Sequence, residues 1–183
     1  MMLDDPATSI LAWGVVAAVA LLAALFDIRK RQIPNGLTAS LFFTGLAWAL
    51  QFHGWVGLGE SCAAALLLAL PYVLLFAFAG GGAGDAKLMA GAGAWLGLAD
   101  GMLALGGVAL FGILLAVVKA ITMRQARSVA GNVGWIASSL AATVFTCGKV
   151  RGLAPVARER MTTIPYGIAI FCGILATGVV VIM

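Results

Sequence analysis

The chain has 183 residues, 63% of them hydrophobic and 10% charged, with a mean hydropathy of +1.09. A soluble domain is about 45–50% apolar and about a quarter charged, so this composition excludes an ordinary soluble globule, a disordered chain and a nucleic-acid-binding domain. The net charge of +4, from 11 Lys and Arg against 7 Asp and Glu, reports topology before any anionic partner, because basic residues collect on the cytoplasmic side of a membrane.

A membrane-spanning helix takes about 20 mostly apolar residues, which leaves room for about six spans and little else. The first apolar run, Ile10 to Phe26, stops at Asp27-Ile28-Arg29-Lys30-Arg31. Ahead of it stand Asp4 and Asp5 and no base, unlike the basic start of a removable signal peptide, so it reads as a retained anchor. A second run, Leu37 to Phe52, is entered through Ile33-Pro34-Asn35, with Asn35 placed to cap the helix. A third, Ser61 to Ala79, contains Pro71 as an expected kink and closes on Gly80, Gly81, Gly82 and Gly84. Leu88 to Ala99 and Gly101 to Val118 are separated by Asp100, and the first of these is short enough to need a tilt or a thin membrane. The last run is Ile164 to Met183.

Between them, Asn132 to Thr146 places Val133, Ile136, Leu140 and Val144 at three- and four-residue steps among polar residues. A sixth crossing there would export Lys149, Arg151, Arg158 and Arg160. The stretch therefore reads as a helix on the cytoplasmic face, within a cytoplasmic or interfacial segment 119–163. The expected architecture is a single all-α, polytopic membrane domain over 1–183, with about six transmembrane helices and one interfacial helix. With the N-terminus outside, every Lys and Arg falls inside, while Asp4, Asp5, Glu60, Asp100 and His53 fall in outside loops.

Most of the remaining landmarks are bland. Cys62, Cys147 and Cys172 are scattered, which suits packing residues rather than a zinc module or disulfide framework. His53 has no ligand partners beside it, and no metal or cofactor site is expected. Several of Trp13, Trp48, Trp55, Trp95 and Trp135 lie near run ends, as in an aromatic belt. No phosphate-binding or dinucleotide fingerprint is present, so no nucleic-acid or nucleotide partner is expected; the lipid bilayer is.

Two acids stand apart. Asp27 ends the first run and Asp85 follows the glycine cluster, which puts both at the cytoplasmic edge of the membrane in the expected topology. An acid at that depth is costly and points to function. Two carboxylates a few ångströms apart titrate as a unit. One can then take a proton from water while the other polarises a carbonyl, which is the chemistry of an aspartic protease. The glycines ahead of Asp85 leave room for an extended peptide to approach the backbone.

Asp27 through Pro34-Asn35 resembles the first catalytic motif of type IV prepilin peptidases, and Gly82-Ala83-Gly84-Asp85-Ala86-Lys87-Leu88 resembles the second. Gly91, Trp95-Leu96-Gly97 and Ile164-Pro165-Tyr166-Gly167 are similar to further family landmarks, the last with Tyr where the family has Phe. The resemblance covers about residues 10–120 and 162–183. It implies an inner-membrane aspartic endopeptidase of the Gly-x-Gly-Asp type. Such an enzyme cuts the basic leader of a pilin-like precursor after a glycine, at the cytoplasmic face. Asp27 and Asp85 match the catalytic pair; Gly82, Gly84, Lys87, Pro34 and Asn35 match the surrounding motifs and are candidate substrate contacts. Lys87 serves equally well as a plain cytoplasmic anchor.

Larger members carry a loop with paired Cys-x-x-Cys motifs associated with N-methylation. The pairs are missing here, which implies a peptidase without methyltransferase activity, similar to members serving tight-adherence pili or to archaeal preflagellin peptidases. Two other readings stay open. A presenilin-like intramembrane protease would carry a Pro-Ala-Leu element, where this chain has only Leu153-Ala154-Pro155. A non-enzymatic scaffold or transporter subunit would tolerate loss of either aspartate.

Overall fold

A computed structural model describes residues 6–79, 82–122 and 166–183. Among these residues the protein is all-helical: α1 (Pro6–Lys30), α2 (Asn35–Ala79), α3 (Ala83–Thr122) and α4 (Tyr166–Ile182). Three of them (α1, α2 as far as Ala77, α3 as far as Val118) are long and apolar enough to cross a membrane, and α4 is a shorter apolar helix. The all-α expectation therefore holds, and the long apolar helices mark an integral membrane protein. The expected interfacial helix at 132–146 lies outside the described residues, as do Asp4, Asp5, Gly80, Gly81, Cys147, Lys149 and Pro165.

α2 has 45 residues; at about 1.5 Å per residue a straight rod of that length would be about twice the ~30 Å hydrocarbon thickness. It is broken at Gly54 (φ 62°, ψ −155°). α3 is broken in the same way at Gly97 (φ 71°, ψ −169°). A side chain with a Cβ is strained in that region of backbone space, and glycine is not.

Contacts between the resulting arms set their directions. The first arm of α2 runs parallel to the first arm of α3: Asn35 meets Lys87, Leu41 meets Gly91, and Trp48 stacks on Trp95 at 5.4 Å. The second arm of α2 runs antiparallel to that same arm, with Ser61 donating to the Ala94 carbonyl at 2.8 Å and Ala64 against Gly93. The two arms of α2 are therefore antiparallel to each other. The second arm of α3 opposes α4, since Gly107 faces Gly173 and Thr177 while Gly112 faces Tyr166. α4 in turn opposes α1, with Gly167 on Ala24 and Asp27 and Gly178 on Trp13.

The helices approach through small residues. A Cβ at Gly93 would sit 2.7 Å from the Ala64 carbonyl oxygen, and one at Gly45 would sit 2.8 Å from the Trp95 ring. Close backbone approach of this kind holds helices together where lipid removes the hydrophobic drive between them. Outward-facing Leu66 (74% exposed) and Leu110 (70%) are apolar surface that suits acyl chains.

Several expectations shift. His53, Glu60 and Asp100 are helical, not in polar loops, because one left-handed glycine turns the chain without further residues. The helix read as Leu88 to Ala99 begins at Ala83, with Asp85 and Lys87 in its first turns. Trp13 and Trp95 are core residues, 2% and 7% exposed, while Trp55 is outside the core. The Trp95 indole N–H finds partners inside: the Leu41 carbonyl at 3.0 Å and Thr44 Oγ1 at 3.3 Å. Cys62 is exposed and Cys172 half-buried, both as free thiols.

By its contacts the chain divides into Met1–Gly112 with Pro165–Met183, and Ile113–Ile164. Of the second unit, the described part is the end of α3, where Ile113 and Leu114 are exposed.

Candidate active site

Asp27 sits in the last turns of α1, half-buried. Its backbone carbonyl accepts the Arg31 N–H at 2.9 Å, and Arg31 adopts a left-handed φ of 51° that ends the helix. Its side chain reaches α4: Oδ2 accepts the backbone N–H of Gly167 at 3.1 Å. The first N–H groups of a helix lack intrahelical partners and favour a negative charge, so α4 begins on the Asp27 carboxylate.

Asp85 lies in the first turn of α3, half-buried. The Asp85 N–H donates to the Gly82 carbonyl at 3.2 Å. Its carboxylate folds back over Gly82, where a Cβ would be 3.0 Å from Oδ2. A Cβ at Gly84 would be 3.2 Å from Ile33, so this glycine lets the α1–α2 connection lie against the start of α3. The two acids, from α1 and α3, are near enough for the Asp27 charge to act on Asp85.

The other expected site residues gather at the same end. The Pro34 carbonyl accepts the Leu37 and Thr38 N–H groups at 3.1 and 3.4 Å and so starts α2. Asn35, expected to cap α2 with its side chain, reaches across to α3, where Oδ1 accepts Lys87 Nζ at 2.9 Å. A charge-assisted bond to an ammonium group outcompetes a neutral backbone donor. This contact links the first motif to the second, although both residues are exposed.

Sequence reasoning did not single out Tyr72, which is 7% exposed. Its ring meets Tyr166 edge-on at a centroid distance of 6.2 Å, and both phenols lie within reach of the Asp85 charge. These are the chain's 2 tyrosines, and their meeting, from α2 and α4, carried no signal in the sequence. Among the described residues no group of three or more His, Cys, Asp or Glu is arranged to hold a metal ion.

The described charges are unevenly placed. Arg29, Lys30, Arg31 and Lys87 stand at the Asp27 end, and Glu60 and Asp100 at the other, where Glu60 Oε1 accepts the Leu98 N–H at 3.3 Å.

The model of the type IV leader peptidase family matches residues 14–117. A prepilin leader peptidase/N-methyltransferase of Aeromonas hydrophila is 38% identical over 97 residues, covering 46% of this chain and 33% of the relative. The matched stretch thus spans about a third of that relative's length. No solved structure matches the chain.

Proposed function

Because the chain belongs to the type IV leader peptidase family, we propose that it is a membrane aspartic endopeptidase that removes the basic leader of a pilin-like precursor after a glycine. Asp27 and Asp85 are the catalytic pair of this reading. One carboxylate takes a proton from water as its oxygen attacks the scissile carbonyl, and the other gives a proton to the carbonyl oxygen. Collapse of the tetrahedral intermediate breaks the C–N bond, and the amine leaves with the proton returned to it. The observation that supports the reading is that Asp27 of α1 and Asp85 of α3 lie at the same end of the helices, near enough for the charge of one to act on the other.

The same reading gives six crossings, one for each of α1, the two arms of α2, the two arms of α3, and α4, in a single domain over 1–183. Segment 119–163 is cytoplasmic in it, and the N-terminus is outside. The basic residues at the Asp27 end support a cytoplasmic active face in the inner membrane. A precursor helix already in the bilayer presents its leader at that face. Gly82, Gly84, Pro34, Asn35 and Lys87 would line the approach of its extended backbone, and the exposure of Gly82 and Asn35 supports this. The activity proposed is peptidase alone, without methyltransferase, as in members serving tight-adherence pili or in archaeal preflagellin peptidases.

Co-expression with a pilin precursor from the same genome tests the reading, comparing wild type, Asp27→Ala and Asp85→Ala by gel shift and N-terminal sequencing. A shortened pilin beginning just after a glycine is expected in wild type alone. Equal processing by all three would remove the aspartates from the mechanism.

A further inference from the structure

α4 begins with two residues that do different things. Gly167 donates its N–H to Asp27 Oδ2 at 3.1 Å and has no room for a side chain, since a Cβ there would be 3.2 Å from Ala24 Cα and from both Asp27 Cβ and Oδ2. The neighbouring Tyr166 ring is held on two sides. Tyr72 meets it edge-on, and its hydroxyl sits over Gly112 of α3, where a Cβ would collide with the oxygen and lie 3.0 Å from Cζ. Gly112 is buried and is a notch cut to the size of a phenol.

We propose that the Gly112 notch and the Tyr166 ring form a positioning device that sets where α4 starts and thereby holds the Asp27 carboxylate in its reactive orientation. The chain of contacts is short. Gly112 fixes the ring, the ring fixes its own backbone, and the next peptide unit carries the N–H that Asp27 accepts. Neither Gly112 nor the Tyr166 hydroxyl is required to touch substrate. Filling the notch lifts Tyr166 and draws the Gly167 N–H away from Asp27, while the Gly82–Asp85 turn and the Asn35–Lys87 contact, in which Tyr166 takes no part, stay as they were. Displacements of about 1 Å in a catalytic group can cost about a hundredfold in rate, so the effect belongs in kcat and not in KM.

This inference rests on the peptidase reading, and the experiment separates the two. Wild type, Gly112→Ala, Tyr166→Phe and the double variant are purified in detergent. Each is assayed on a precursor with a basic leader, a scissile glycine and its apolar helix, alongside thermal unfolding. Gly112→Ala is expected to lower kcat about tenfold or more with KM within about twofold. In the Tyr166→Phe background the same substitution should cost no more than about threefold, because the collision with the oxygen is gone and only the ring contacts at 3.0 Å (Cζ) and 3.4 Å (Cε2) remain. Equal losses in both backgrounds would overturn the notch, and so would a loss confined to KM or matched by general unfolding. Absence of cleavage by wild type would overturn the peptidase reading and this inference with it.

Discussion

The backbone N–H of Gly167 donates to the Asp27 carboxylate at 3.1 Å across 140 positions of sequence. That bond ties the start of the last helix to the end of the first, and it leaves one acid of the candidate pair held by a helix N-terminus. Asp85 is held differently, over Gly82 at the start of its own helix. The two carboxylates thus lie in unlike surroundings, which under the proposed function would suit one to act as acid and the other as base.

Asparagine keeps the shape of either acid and removes its proton chemistry. Asp27→Asn and Asp85→Asn should each lower cleavage by about 10²–10⁴-fold, the usual worth of a general acid or base, with expression and thermal unfolding near wild type. Gel-shift assays of a co-expressed precursor measure this. Full cleavage by either variant would exclude that residue.

A pair of carboxylates working as acid and base should also impose a bell-shaped dependence of kcat/KM on pH. Cleavage falls on the acid limb as the base becomes protonated, and on the alkaline limb as the acid ionises. Either Asn variant should abolish the bell in whatever activity remains. A profile flat across both limbs in wild type would count against a shared proton.

Glycines at helix contacts differ sharply in what surrounds them. Gly93 faces the Ala64 backbone at 2.7 Å, whereas Gly106 has nothing within 4 Å. Gly93→Ala should therefore destabilise by about 1–3 kcal/mol or more, because a backbone cannot rotate away. Gly106→Ala should stabilise by about 0.5–1 kcal/mol through helix propensity. Thermal unfolding in detergent compares them, and equal shifts would mean that the α2–α3 contact is not formed as described.

Chain reversals at Gly54 and Gly97 predict the exposure of fused reporters. Reporters after Gly54 and Gly97 should be periplasmic, and reporters after Gly82 and Lys149 cytoplasmic. A cytoplasmic signal at Gly54 would break the six-crossing topology.

Composition, the run of apolar segments and the clustering of Lys and Arg depend on local chemistry, so they were legible residue by residue. From them came the all-α membrane class, and from Asp27-x6-Pro34 and Gly82 to Leu88 came the two motifs and their family. The turns were not legible. Glycine makes up 24 of 183 residues, and neither Gly54 nor Gly97, the latter noted only as a family landmark, carries a local sign of a turn, so polar His53, Glu60 and Asp100 drew the expected loops to themselves.

Only the tertiary structure decided the contacts between distant backbones. Asn35 read as a helix cap because its neighbours allowed it, yet a cation on another helix took its oxygen. Trp95 looked like a membrane-edge residue until its indole met a carbonyl on α2. The Gly167 bond to Asp27 depends on how closely α1 and α4 approach, which is governed by side chains that are absent at the glycines. Periodicity and charge report the side chains a segment carries; the site was completed where side chains are missing and backbones meet.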